Sequence, residues 1–332
     1  MGDNMNAKII IALMAAALGT AGVAQVVNMP KMRYTLHVIG EDGKPIPGVK
    51  TASSFNKDAI SYGQKIQVSA TTDDNGNFTA EGYSDDGKAL GKLMSKDGYF
   101  DSGVSAGPFE IFENGHWLPW DQTYTTVLRK IGTPIPLYVK RMNATIPVTG
   151  TPCGYDLEVA DWVAPYGKGK VTDYIVTVTN LQYRSDNDSE ISATVTFPND
   201  GDGIQEIQLP KEFANSVFKW PRLAPEAGYL PQLETHRLWL NVERGHTQSI
   251  DTANENQAYF VRVRTVKQGG KIVSALYGKI LGGIGVGPNG GKNGGVIGFT
   301  YYLNPTSLDR NLEFSGNTLF KDLPQSETTH VP

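Results

Sequence analysis

The chain has 332 residues, enough for two domains of ordinary size, each with its own hydrophobic core. A formal net charge of -4 lacks the excess of basic residues that a nucleic-acid-binding surface needs, so we expect no nucleic acid as a partner. The single cysteine, Cys153, excludes an internal disulfide, and 37 glycines with 19 prolines favour many short strands joined by turns.

An apolar segment near the amino terminus predicts export. Ile9 to Val23 is an uninterrupted run of apolar and small residues, and Lys8 precedes it. The run is shorter than the roughly 20 residues that span a membrane, and it fits the central part of a signal peptide. We expect residues 1–24 to be a signal peptide and the mature protein to be secreted, periplasmic or at the cell surface, with no membrane span after cleavage. A retained amphiphilic anchor is the alternative.

Alternating strands and turn signals follow. Tyr34–Ile39 alternates and enters a turn at Asp42-Gly43, a hairpin is expected at Asn75-Gly76, and a strand with a glycine break ends at Tyr99. Asn-Gly and Asp-Gly favour tight turns because such turns need positive φ. In this order the segments resemble the carboxypeptidase regulatory-like domain, a small transthyretin-like β-sandwich. The resemblance covers about residues 32–141 and implies an accessory sandwich, not the peptidase itself.

The strands that close this first domain are expected at Thr123–Arg129 and Pro136–Lys140. Between the strands, aromatic residues flank Asn114-Gly115 and predict another hairpin. Residues 142–154 contain two prolines and two glycines in close succession (Pro147, Gly150, Pro152 and Gly154) and are predicted to be a linker.

The second half of the chain, residues 155–322, is also predicted to be all-β. Ile191–Phe197 alternates strictly, and Ala258–Val266 and Lys271–Ile280 flank a hairpin turn at Gly269-Gly270. The spacing of strands and turns predicts a sandwich or jelly-roll-like domain. Residues 323–332 are expected to form a flexible tail. The predicted fold class is therefore all-β, with two antiparallel β-sandwich domains.

No motif in the chain predicts catalysis. Gly285–Gly290 fits the dinucleotide pattern GxGxxG, but a strand and not a helix is expected after it, so we interpret Gly282–Gly295 as a mobile glycine-rich hairpin loop. The five histidines form no close pair with metal-ligand spacing, and no GxSxG elbow occurs. We expect no enzyme; an active site that only the fold assembles is the alternative.

Two further groups of residues are candidates for binding. Acidic turns after residue 184 suit weak calcium binding, although turn formation explains the same residues, and no other cofactor is expected. The candidate calcium ligands are Asp186, Asp188, Glu190, Asp200 and Asp202. Trp117 and Trp120 lie three residues apart and could stack on a glycan, with packing at the sandwich edge as the alternative.

These observations favour an exported, non-enzymatic binding or structural protein of the cell surface or periplasm, whose partner is a surface protein or a polysaccharide. A carbohydrate-binding protein that uses exposed aromatics is one alternative. Another is a subunit of an extracellular fibre or surface layer, built by pairing of exposed strand edges. The oligomeric state is left open by the sequence.

Overall fold

The computed structural model describes five segments of the chain: residues 28–106, 109–242, 246–254, 257–290 and 292–332. In these segments the regular structure is β-strand, with two short 3-10 helices, so the prediction of an all-β fold is confirmed. Within the same ranges, no helix has the length and apolar character that crossing a membrane requires. The predicted signal peptide, residues 1–24, lies outside the described residues.

Nine strands share one hydrogen-bonded network, which we call the first β-body. Its order is β6-β5-β2-β4-β1-β8-β7, with β3 also paired to β2 and β9 also paired to β1. The β1 strand runs parallel to β8 and β9 and antiparallel to β4. The strands are β1 (Lys31–Ile39), β2 (Lys50–Asn56), β3 (Lys65–Thr71), β4 (Asn77–Tyr83), β5 (Ala89–Ser95), β6 (Ser102–Ala106), β7 (Ile111–Glu113), β8 (His116–Leu118) and β9 (Gln122–Val127).

The alternation of β1 produces the core of this body. Met32, Tyr34, Leu36 and Val38 point to one face and are fully buried, while the residues between them are half-buried. Successive side chains of a strand point to opposite faces, so the sequence pattern translates directly into this burial.

Two six-stranded sheets form the second β-body. Their orders are β15-β18-β19-β20-β10-β21 and β12-β11-β13-β14-β16-β17, and side chains from both sheets share one core. The strands are β10 (Ile135–Thr145), β11 (Cys153–Asp156), β12 (Asp161–Trp162), β13 (Tyr174–Ser185), β14 (Asp188–Thr196), β15 (Gly203–Glu206), β16 (Gln232–Val242), β17 (His246–Asp251), β18 (Ala258–Gln268), β19 (Lys271–Asn289), β20 (Lys292–Asn304) and β21 (Phe314–Thr318). The 3-10 helices are Lys211–Phe213 and Gln325–Glu327.

The turn at Asn75-Gly76 does not join a hairpin, which corrects the expectation from the sequence. The strand before the turn, β3, pairs with β2, and the strand after it, β4, pairs with β1. The turn itself is well formed, because Asp73 Oδ1 accepts hydrogen bonds from the backbone N–H groups of Asn75 and Asn77 at 2.9 and 2.8 Å. Turn chemistry identified the chain reversal but not the strand partners.

The strand expected at Pro136–Lys140 has its partners in the second body. It is part of β10, which pairs with β20 over Tyr138–Thr145 and, through Ile135 and Leu137, with β21. The expected linker at 142–154 is therefore partly strand, since its first residues continue β10 and its last two belong to β11. Alternation identifies a strand, but the partners of this one lie more than 150 residues away in sequence.

The glycine-rich segment Gly282–Gly295 is a strand pair, not the mobile loop that its composition predicts. Most of it belongs to β19 and β20, which pair on both sides of the reversal near residue 290. A Cβ on Gly295 would lie 2.5 Å from Ile191 Cδ1 in the facing sheet, so glycine is needed for this close approach. Strand β20 follows this reversal, as expected from the sequence, whereas the dinucleotide-binding pattern opens a helix.

Candidate assembly surface

Strand β3 has one free edge, and of its side chains only that of Val68 packs against the core of the first body. Its antiparallel ladder to β2 runs from the Lys65–Asn56 pair to the Thr71–Lys50 pair, and no other described strand bonds to it. Six of its seven residues are exposed, and the seventh, Val68, is half-buried. A strand in a packed sheet ordinarily buries at least one face, and a free edge presents unpaired N–H and C=O groups. The strand is therefore a template for an additional strand.

The ribbon made by β2, β3 and their connecting turn, residues 50–71, is basic. It carries Lys50, Lys57 and Lys65 against one acidic residue, Asp58, which gives a net charge of +2. Lys65 forms an exposed ion pair with Asp85 at 2.8 Å, which solvent screens. Ile66 adds an apolar side chain that is 44% exposed. The free edge of the ribbon thus combines positive charge with apolar surface.

A second free edge lies on β7, at one end of the strand order of the first body. The hairpin of β7 and β8 turns at Asn114 (φ 51°) and Gly115 (φ 81°), which confirms the predicted turn. Among the described strands, β7 bonds only to β8, and all three of its residues are exposed. Ile111 and Phe112 are 60% and 62% exposed. With Glu110 and Glu113, no lysine or arginine, and His116 counted as neutral, hairpin residues 110–118 have a net charge of -2.

A buried joint connects the two bodies. Arg129 donates hydrogen bonds to the carbonyl oxygens of Phe218 and Trp220 at 2.8 and 2.6 Å and pairs with Glu41 at 2.9 Å. Arg222 also pairs with Glu41, at 2.8 Å. Backbone contacts add to the joint, since Gly103 N donates to Asn215 O and Val217 N donates to Asp101 O. The joint therefore holds the second body against the end of the first body where β1 ends.

A fully buried lysine lies beside the joint. Lys279 Nζ has no hydrogen-bond partner and faces the rings of Phe218, Trp220 and Tyr302, with centroid distances of 5.1, 5.3 and 4.5 Å. Burial lowers the pKa of Lys279 to about 7; the negative charge of Glu313 opposes this shift and the positive charge of Arg129 adds to it.

A cluster of charged side chains surrounds Arg264 in the second body. Arg264 pairs with Asp173 at 2.7 Å, with Asp156 at 3.1 Å and with Glu158. The Asp156 and Asp173 side chains are almost completely buried. Burial raises the pKa of Asp173 in spite of the hydrogen bonds and charge of Arg264. The three carboxylates share one guanidinium, which offsets part of their negative charge within the fold.

The two candidate tryptophans occupy different environments. Trp117 is buried, and its Nε1 donates a hydrogen bond to Ser84 O at 2.9 Å. Trp120 is 38% exposed and contacts His116 edge to face, with a centroid distance of 4.3 Å. Only Trp120 therefore presents part of its ring to solvent, and the two rings do not form one exposed platform.

The candidate calcium ligands either bind other side chains of the protein or lie apart from one another. Asp186 accepts a hydrogen bond from Tyr183 Oη at 2.6 Å, and Arg184 binds both oxygens of Asp188. Asp200 pairs with Lys267. Asp202 is buried and accepts hydrogen bonds from the Asn199 side chain and from Thr265 N. Glu190, in β14, lies opposite Gln182 of β13. In the described part of the chain, no three acidic, histidine or cysteine side chains converge as a metal site would require.

Sequence reasoning did not find the β3 edge, Lys279 or Arg129. The β3 sequence alternates apolar and polar residues like any half-buried strand, so its exposure could not be anticipated. The exposed edge of the hairpin could have been inferred from its composition, because Ile111 and Phe112 lie between two glutamates and the hairpin has no lysine or arginine.

Neither a family model nor a curated protein matches the chain. Two solved structures resemble it weakly. One is a streptococcal ancillary pilin, with 10% identity and a TM-score of 0.20, which aligns with 86% of this chain. This chain covers 63% of that pilin, less than two thirds of its length. The other is a mutant of the shaft pilin SpaA of Lactobacillus rhamnosus GG, with 11% identity, a TM-score of 0.20 and coverages of 74% and 92%. Similarity this low assigns no function.

Proposed function

We propose that the protein is a non-enzymatic structural subunit that assembles with other copies into a fibre or layer outside the cell. The observation that carries this proposal is β3, a seven-residue strand with one free edge and six exposed residues. Such a strand invites pairing with another chain, and soluble monomers ordinarily shield their edges. Among the alternatives from the sequence, assembly through strand edges is the one that this geometry favours.

The non-enzymatic part of the proposal is supported by the absence of a suitable site among the described residues. A small cavity between the sheets of the second body is lined by apolar and aromatic side chains such as Leu157, Val261 and Ile284. Two buried ionisable groups are also closed to a substrate: Arg264 pairs with three carboxylates, and Lys279 has no exposed surface. A catalytic group has to reach a substrate, and these groups do not.

The location outside the cell is supported by the apolar segment Ile9–Val23. The membership of residues 32–141 in the carboxypeptidase regulatory-like family stays a proposal, based on the order of turns and strands. Weak calcium binding at the acidic turns also stays a prediction, which a shift in Tm on adding calcium would test.

Assembly can be measured directly on the mature chain, residues 25–332. Sedimentation velocity over a hundredfold range of protein concentration, followed by negative-stain electron microscopy, would report the species present. We expect a mass that keeps rising with concentration and elongated or sheet-like particles. A single monomeric species over the whole range would refute the proposal.

A further inference from the structure

The free edges of β3 and β7 in the first β-body are complementary. Resting on the assembly proposed above, we propose that β7 of one copy pairs with β3 of the next copy and so extends its sheet. The occupant of each edge is thus a second copy of this chain. The charges, the exposed apolar side chains and the topology of the two edges support this pairing.

The charges of the two edges are complementary. Ribbon residues 50–71 carry a net charge of +2, and hairpin residues 110–118 carry -2. Glu110 and Glu113 flank the β7 edge, and both are exposed. Pairing of β7 with β3 brings these carboxylates towards the lysines of the ribbon, whereas pairing of β3 with another β3 brings lysines together. Complementary charge steers association and disfavours the like-charged pairing.

Apolar side chains support the same pairing. Of the large apolar side chains in the first body that are well exposed, Ile66 lies on β3, and Ile111 and Phe112 lie on β7. Since neighbouring residues of a strand point to opposite faces, Ile111 and Phe112 offer apolar surface on both faces of the added strand. Cross-strand apolar pairs each contribute stability, so joining the edges would cover surface that is exposed in the single chain.

The topology makes such an assembly open-ended. β3 and β7 are both terminal strands of the branched network, linked through β2, β4, β1 and β8; β6 and β9 are its other terminal strands. Two copies joined through one β3 and one β7 leave a free β7 on one copy and a free β3 on the other. A contact between two different surfaces that does not close into a ring generates a filament.

Cysteine cross-linking tests the pairing, since the natural Cys153 is buried. We would prepare Ile66→Cys and Phe112→Cys as two separate variants of different tag length, mix them, and oxidise them under assembling conditions. The expected product is the mixed dimer, in large excess over either homodimer. Homodimers of Ile66→Cys alone would show β3–β3 pairing and would overturn the inference.

Charge and edge variants give an independent measurement. Ile66→Lys or Phe112→Lys should raise the concentration at which half the protein is assembled by about tenfold or more, because a lysine on a free edge opposes strand addition. Ile250→Lys is the matched control, an exposed isoleucine on strand β17 of the second body, and should leave assembly unchanged. Lys65→Glu and Glu113→Lys should each weaken assembly, and the double variant should recover it.

The outcomes separate the two proposals. If the protein assembles but neither edge variant changes the midpoint concentration, the β3–β7 pairing is wrong and the proposed function stands. If the unmodified chain does not assemble, the proposed function fails and the pairing fails with it. Circular dichroism of each variant, compared with the unmodified chain, identifies a variant that fails to fold. In that case the cross-linking of the exposed cysteine variants decides the outcome.

Discussion

Phe100 of the first β-body stacks on Phe218 of the second, with ring centroids 4.7 Å apart and an angle of 27° between the ring planes. Arg129 extends this contact, since its guanidinium carbon lies 4.6 Å from the centroid of the Phe218 ring. A buried aromatic pair and a buried cation at the same junction tie the two bodies together. We therefore expect the bodies to unfold together, although each has a core of its own.

Arg129→Met should uncouple the two bodies. The change removes a guanidinium that is almost fully buried and leaves the carbonyl oxygens of Phe218 and Trp220 without their donor. Loss of these charge-assisted hydrogen bonds should lower the free energy of unfolding by about 2–4 kcal/mol. In differential scanning calorimetry, the single transition of the unmodified chain should separate into two.

Lys44→Met is the control for that experiment, because Lys44 is highly exposed and its ion pair with Asp42 lies in solvent. It should change stability by less than about 0.5 kcal/mol. A single transition at the original Tm for Arg129→Met would contradict the role of this arginine in the joint.

Lys279→Met should stabilise the protein at pH 7. Burial of the amine without a hydrogen-bond partner costs about 1–3 kcal/mol, and methionine fills a similar volume without a polar atom. The neighbouring rings of Phe218, Trp220 and Tyr302 would pack against the thioether. Chemical denaturation at pH 7 measures the change. A loss of stability would show that the interaction of the charged amine with these rings outweighs the cost of burial.

The same lysine predicts a pH dependence of stability. Its pKa is about 7 in the folded chain and near the ordinary 10.5 in the unfolded chain. Between these values the unfolded state binds more protons, so the contribution of Lys279 to stability rises with pH from about 7 to 10 and is lowest below pH 7. The difference in stability between Lys279→Met and the unmodified chain should therefore shrink as pH rises through this window. A difference independent of pH would contradict the lowered pKa.

Arg264→Met should destabilise the second β-body strongly. It would leave Asp156 and Asp173 buried without their shared cation, a change that typically costs about 3–5 kcal/mol. Arg184→Met is the matched control, since Arg184 pairs with Asp188 at the surface and should cost less than about 1 kcal/mol. Urea denaturation of the two variants compares the costs, and equal costs would contradict the importance of burial.

The strands with clear alternation were predictable because burial follows a period of two. Ile191–Phe197 lies mostly in β14, with Ile191, Ala193 and Val195 buried and Phe197 half-buried. The turns at Gly269-Gly270 and Asn114-Gly115 adopt the positive φ that their composition indicates. These features depend on neighbouring residues only, and the sequence contains that information directly.

The partners of strands were not predictable, because pairing depends on residues far apart in the chain. The strand around Pro136–Lys140 looks the same in sequence whether it closes the first body or joins β20 in the second. Exposure of β3 is a similar case, since its alternation implies a buried face, yet of its residues only Val68 packs against the core. The candidate assembly surface is thus a consequence of what the fold leaves uncovered, which the residues of β3 alone do not encode.

Trp117 and Trp120 should respond very differently to alanine substitution. Trp117→Ala removes a buried ring and leaves Ser84 O without its donor, so it should cost about 3–5 kcal/mol. Trp120→Ala removes a partly exposed ring that contacts His116, and should cost less than about 1.5 kcal/mol. Thermal denaturation measures both. Only Trp120→Ala can therefore test glycan binding in a folded protein: loss of retention on a polysaccharide column by this variant would support the carbohydrate-binding alternative, and unchanged passage of both it and the unmodified chain would count against it.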